Sequence, residues 1–315
     1  MAQDRSGSQF ERWVSFGTTI IAPATVLSGL LFYFGYVSSR AQYEYFGVDV
    51  DTIGLSTQDY VMRSPQPLLV PLLVLTLLGI GAVLLHAEIR RRIAVRGPRE
   101  SAQYRRLARR AVIAGLAILV AGIALLFSYP YLRGWPLFDL VTPLLLAMGS
   151  AVVAYAARMQ ALLQPSTAPT PPANGELAPA RAHAMSSMVA LRRAATILIF
   201  VVIVANIFWA TATIAQWSGR GLARYKATHL DQLPTVILDT QQRLFLTDPG
   251  LVKETVLPPS QGQTFHYRYR NLHLLIEGHD RMFLVPDRWS ASDSTLIVPL
   301  DGSVRVQFRF KNEAP

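Results

Sequence analysis

The residues best suited to chemistry lie in the last hundred positions. His266, His273 and His279, three of the six histidines, stand close in sequence to Glu277 and Asp280. Imidazoles and carboxylates are ligands that zinc takes, and a histidine oriented by an acid is a common general base. The spacing argues against both uses. His273 and His279 flank a turn instead of sharing a helix face, and no HExxH occurs. Turn and surface roles fit them better. Asp49, Asp51 and Asp59 form an acidic group that lacks the EF-hand spacing calcium needs. The third group is Tyr267-Arg268-Tyr269-Arg270. Alternation puts both arginines on one strand face, open to solvent or to an anionic envelope polymer.

No GxSxG, Walker A, SxxK or GxGxxG stands in a fitting context. The 315 residues include no cysteine, which excludes disulfides, thiolate catalysis, cysteine-built zinc sites and iron–sulfur clusters. No cofactor is expected. An extracytoplasmic hydrolase built on the histidines is the weakest of three functional readings.

The elements that must position these residues are mostly apolar. Hydrophobic residues make up 51% of the chain and charged ones 16%, against about 25% charged in ordinary soluble domains. Five stretches are long enough to cross a bilayer as helices: about 13–37, 68–86, 111–128, 140–157 and 194–217. None holds an Asp, Glu, Lys or Arg. The first is too long for the core of a signal peptide and is read as a retained helix. Asn206, in the fifth, is its most polar group and is read as a hydrogen-bonding partner across helices. Pro23, Pro71 and Pro143 are candidate kinks. Ala117 with Ala121, Ala147 with Ala151, and Ser150 with Ala154 are small-xxx-small pairs that allow close helix approach or a homo-oligomer. Broken helices and small residues are also the basis for a second reading, a transport or channel component.

Of 30 basic residues only Lys226, Lys253 and Lys311 are lysine, a skew that goes with a GC-rich bacterial genome. Position matters more than number. Between the second and third stretches, nine arginines face only Glu88 and Glu100, a net of +7. The segment 158–193 is net +3, and 38–67 is net −2. Arginine-rich short loops stay in the cytoplasm, so the amino terminus (1–12) is placed inside and the carboxyl terminus outside a plasma membrane. Gly97-Pro98 stops one helix and starts the next, making 87–110 a cytoplasmic hairpin. Its Arg90, Arg91, Arg92, Arg105, Arg106, Arg109 and Arg110 are placed against anionic lipid head groups, not nucleic acid. Residues 164–184 read as a Pro/Ala-rich tether within the cytoplasmic segment 158–193.

The outside loop, 38–67, has its own design. Ser56 with Asp59 is a capping box and Leu55 with Tyr60 a hydrophobic staple, predicting a helix from Thr57 to about Arg63. Phe46, Val48, Val50, Ile53 and Leu55 need cover, which the tail is expected to supply.

From 218 to 315 the period changes to two. The alternation predicts about six strands in a small all-β domain, a sandwich or barrel. Three hairpins are expected. Thr235–Leu238 pairs Arg243–Leu246, and Asn271–Glu277 pairs Arg281–Val285 through Gly278-His279-Asp280. Thr295–Leu300, an edge strand with Pro299 opposite Val304, pairs Ser303–Phe310 through Asp301-Gly302. The apolar parity flips between Tyr269 and Leu272, which predicts a bulge near Arg270-Asn271.

The tail sequence YRYRNLHLLIEGHDRMFLVPDRW, then VPLDGSVRVQF, and the loop sequence YFGVDVDTIGLSTQDYVMRS resemble actinobacterial multi-pass membrane proteins of uncharacterised function. The resemblance implies the same envelope architecture and brings no catalytic residue. The fold expected is thus a five-helix membrane bundle with an exported β-domain. Its function is a non-enzymatic binding, receptor-like or scaffold role toward an envelope protein or ligand. The binding surface is assigned to Tyr43, Tyr45, Asp49, Asp51, Arg268, Arg270 and His279.

Overall fold

The computed structural model describes residues 4–95, 98–132, 134–163, 178–246, 251–290 and 292–309. The chain divides into two compact units, Met1–Leu69 with Ala215–Pro315, and Val70–Ile214.

In the first unit, helix α1 (Asp4–Glu44) ends where Gly47 can take the left-handed conformation, φ 71°. Val48 N–H reaches the Tyr43 carbonyl and Gly47 N–H the Glu44 carbonyl, the two bonds of a Schellman close. A single turn, α2 (Val50–Ile53), is capped by Asp49 and stopped by Gly54 at φ 74°. Helix α3 (Thr57–Arg63) starts on the expected capping box: Ser56 Oγ accepts from Asp59 N–H, and the Asp59 carboxylate accepts from Ser56 N–H at 2.8 Å. Ser64 hands over to α4 (Pro65–Val95), which opens with proline at its first position. Pro23, Pro71 and Pro143 sit inside helices.

The loop's apolar residues do find cover. Tyr43, Phe46, Val48, Val50, Ile53 and Tyr60 form one buried cluster with Leu275, Ile276, Phe283 and Val285 of the tail. The Phe46 ring packs tilted against Trp289, centroids 5.0 Å apart, and its carbonyl accepts from Thr295 Oγ1 at 2.6 Å. Gly278 lies so close to the Ile53 carbonyl that a Cβ would fall 2.4 Å from it.

The tail is a six-stranded antiparallel sheet of β1 (Thr235–Thr240), β2 (Lys253–Val256), β3 (Tyr267–Gly278), β4 (Arg281–Pro286), β5 (Leu296–Pro299) and β6 (Val304–Arg309). The order is β5-β4-β3-β1-β6, with β2 also on β3. The β3–β4 hairpin forms as expected, and His279 and Asp280 both take positive φ, 47° and 57°. The predicted bulge is present: Arg270 and Asn271 together oppose one residue of β1, and Asn271 has φ 64°. Two predicted hairpins do not form. β5 pairs β4 and β6 pairs β1, at opposite ends of the sheet, so Asp301-Gly302 turns the chain without joining paired strands and Pro299 faces Arg281. β1 already has β3 and β6 on its two sides, which leaves no edge for 243–246. Those residues instead lay Leu244 and Leu246 on a second core of Val236, Leu238, Tyr269, Leu272, Met282, Leu284 and Val298. β5 is an edge strand, where a proline costs no ladder bond.

In the second unit, α5 (Pro98–Phe127) and α7 (Phe138–Leu163) pack as an antiparallel pair, with the short α6 (Tyr129–Leu132) between them. Of the small-residue pairs expected there, Ser150 is buried and Ala154 half-buried. Ala117, Ala121 and Ala151 are exposed, and Ala147 alone of those four is buried. Ala108, Gly115 and Gly122 on α5 and Thr142, Gly149 and Ala156 on α7, each row stepping by seven, are all buried, and Gly115 lies against Gly149. A Cβ on Gly149 would fall 2.8 Å from Leu119 N. Asn206 does not reach across helices; its Nδ2 donates to the Val202 carbonyl of its own helix at 2.8 Å. That helix, α8 (Ala178–Thr228), begins inside the predicted tether, so residues 178–184 are helical; 164–177 and Gly97 of the Gly97-Pro98 signal lie outside the described residues, while Pro98 opens α5.

Among the described residues, four helical segments are long and apolar enough to cross a membrane: Pro65–Arg92, Gln103–Phe127, Phe138–Ala161 and Val189–Thr228. Only 11% of the first is buried, so its leucines need an apolar solvent. These four point to a membrane protein. α1 is not among them, and its side chains are described only from Pro23 onward.

Candidate ligand-binding face of the sheet

Strand register assembles the site. Asp239 on β1 stands directly opposite Arg268 on β3 and Arg305 on β6. Asp239 is fully buried. Its carboxylate accepts from Arg268 Nε and Nη2 at 2.7 and 2.9 Å, and from Arg305 Nε and Nη2 at 3.0 and 2.5 Å. The Arg268 hydrogen bonds, with those of Arg305 behind them, hold the Asp239 carboxyl below its usual range against the opposing effect of burial. Asp239 in turn pushes the Arg268 guanidinium up. Both guanidiniums present their Nε edge to the acid, so each keeps Nη1 for something else. Fixed in this way, they lose little freedom on meeting an anion.

Both arginines line a cleft of about 470 Å³. Its other wall runs from Leu257 to Phe265 and carries Ser260, Gln263 and Thr264, with a turn at Gly262, φ 79°. The Phe265 ring lies 5.1 Å from the Arg305 guanidinium carbon. The pairing places further cations on this face. Arg270 shares it with Arg268 and stands opposite Lys253 of β2, and Arg309 lies four residues beyond Arg305 on β6. Lys253, Arg270 and Arg309 are exposed.

Comparison with family models, with curated proteins and with solved structures finds no match to this chain.

The other predicted site residues are placed as follows. Tyr43 is buried, its hydroxyl accepting from Arg63 Nη1 at 2.6 Å, while Tyr45 is 40% exposed. Asp49 caps α2, Asp51 accepts from Tyr36 Oη at 3.2 Å and Asp59 caps α3. Each aspartate thus has a local task, and no group of three metal-ligating side chains occurs among the described residues. His279 forms the β3–β4 turn against Gly54. His273 is buried, with Nε2 2.6 Å from Asp287 Oδ1 and Nδ1 3.3 Å from the Leu233 carbonyl. Both its nitrogens are occupied, which leaves none for a ligand or a base. Arg91 and Arg92 pair with Glu88, and Arg90, Arg105, Arg106, Arg109 and Arg110 are exposed.

Sequence reasoning found Arg268 and Arg270 and missed Asp239 and Arg305. The signal for Asp239 was an acid inside a strand of apolar residues, TVILDT. Its partners lie 29 and 66 residues away, and only the strand order brings them together.

Proposed function

We propose that the chain crosses the cell membrane five times, holds its sheet outside and serves as a non-enzymatic binding or scaffold module. The fifth crossing is α1. Its residues from Pro23 to Gly29 are uncharged and exposed, with Val26 at 63% and Leu27 at 57%, which suits lipid better than water. Tyr43 to Tyr60 share one buried core with Leu275 to Val285, so an even number of crossings must lie between them, and the four apolar helices supply it. Adding α1 puts the amino terminus on the side opposite the sheet. The arginine-rich segments around 90–110 and 158–193 then share that inner side, in keeping with the positive-inside bias.

The observation that carries the binding role is the half-covered sheet. On one face Phe283 and Val285 are closed over by the loop, while Arg270, Lys253 and Arg305 on the same sheet remain exposed. Because the chain has no cysteine, single substitutions report sidedness directly. In intact cells, Gln261→Cys should react with an impermeant maleimide, and Arg106→Cys only after permeabilisation. The reverse pattern would overturn the topology. Full-length protein in nanodiscs should retain envelope material above empty nanodiscs, and its failure to do so would remove the binding role.

A further inference from the structure

The geometry points to a linear polyanion, a chain bearing phosphate or carboxylate groups at intervals, as the ligand of the cationic sheet face. This rests on the binding role proposed above and specifies its ligand. The tail as a whole is nearly neutral, with 12 basic and 10 acidic residues from 218 to 315. The register nevertheless sorts Lys253, Arg268, Arg270, Arg305 and Arg309 onto one face, with Asp239 the acid directly opposite two of them.

Two features go beyond what folding needs. Asp239 requires cationic partners to be buried, and one bidentate arginine neutralises it; the second is surplus charge. Lys253 stands directly opposite Arg270, a like-charged cross-strand pair that disfavours the sheet. Neither has an ion-pair partner among the described residues, so an anion laid between them relieves a cost already built in. The arrangement also sets the ligand's length. Strands lie about 4.8 Å apart, so the row from β2 across β3 and β1 to β6 spans about 14 Å. That exceeds one oxyanion and suits successive charges of a polymer. At one end the cleft is lined by Arg268, Arg305, Thr264 and the Phe265 ring, which suit one charged group with its carbon linker.

The test uses the full chain in phosphatidylcholine nanodiscs, with poly(glycerol phosphate) and polygalacturonate as probes and neutral dextran as the blank. Saturable binding that weakens with salt is expected for at least one polyanion. The double variant Lys253→Gln/Arg270→Gln, both at exposed sites, should lower affinity at least tenfold, and Arg288→Gln, an exposed arginine outside the paired strands, should leave it within twofold. No polyanion binding, an equal loss with Arg288→Gln, inorganic phosphate binding as tightly as polymer, or association only with phosphatidylglycerol vesicles would each overturn the proposal. The maleimide pattern separates the two readings. Polymer binding with an inward-facing Gln261→Cys sinks the topology alone, and an outward-facing cysteine without polymer binding sinks this ligand alone.

Discussion

At the scale of single residues, Asp239 does most to hold the open face together. It is a buried carboxylate with four N–H donors from two strands, and removing the acid leaves Arg268 and Arg305 facing each other. Breaking a buried pair from one side costs about 3–5 kcal/mol. Arg305 is half exposed, so water softens the loss and Asp239→Asn should cost about 3 kcal/mol, read as a lower denaturant midpoint. The same group sets a pH dependence. Its folded-state pKa lies below the value of about 3.9 for an unfolded aspartate. Its contribution is therefore complete above that value and is lost as pH falls through the depressed folded one. Titrating from pH 6 to pH 3, the wild-type sheet should lose stability below about pH 4, whereas Asp239→Asn should show a flatter acid limb. An equally steep limb in the variant would show that other carboxylates govern acid unfolding.

At the scale of elements, what was legible in sequence was what neighbours in the chain decide. The α3 capping box, the two-residue β3–β4 turn and the parity flip at Arg270-Asn271 all depend on residues within a few positions. Partner choice was not legible. Asp301-Gly302 is a strong turn signal, yet β5 had its edge on β4 and β6 its edge on β1, a competition settled across the whole sheet. The glycine rows of the helix pair escaped notice for a related reason. Pairs four apart mark surfaces that can approach, but two long antiparallel helices meet along rows that repeat every seven, and those rows hold Gly115, Gly122 and Gly149. Gly149→Leu must push against Leu119 N and the Gly115 carbonyl, backbone atoms that no rotamer can avoid. Overpacking of this kind costs about 1–3 kcal/mol or more. The detergent-solubilised variant should melt several degrees lower, while Ala151→Leu on the exposed side should melt with the wild type. Equal effects would restore the alanine seam. A smaller check lies in α3: Ser56→Ala removes its cap and should cost about 1 kcal/mol, visible as faster amide exchange at Asp59.

At the scale of the molecule, the sheet is not a bead on a string after the last helix. One of its two cores is completed by residues 43–60, more than 200 positions upstream, and on that side loop and sheet cover each other. The closure is of long range, so it is expected to form late and to hold or fail as one piece. Phe46 is the test residue because it is fully buried, packs against the Trp289 ring and offers its carbonyl to Thr295. Phe46→Ala should cost about 3–5 kcal/mol through lost burial and the cavity left behind. The informative readout is where the loss lands. If loop and sheet are one cooperative body, amide exchange should rise in β4, at Phe283 to Val285, as much as in α2 and α3. Exchange that rises only between Val48 and Arg63 would make the loop a separate cover.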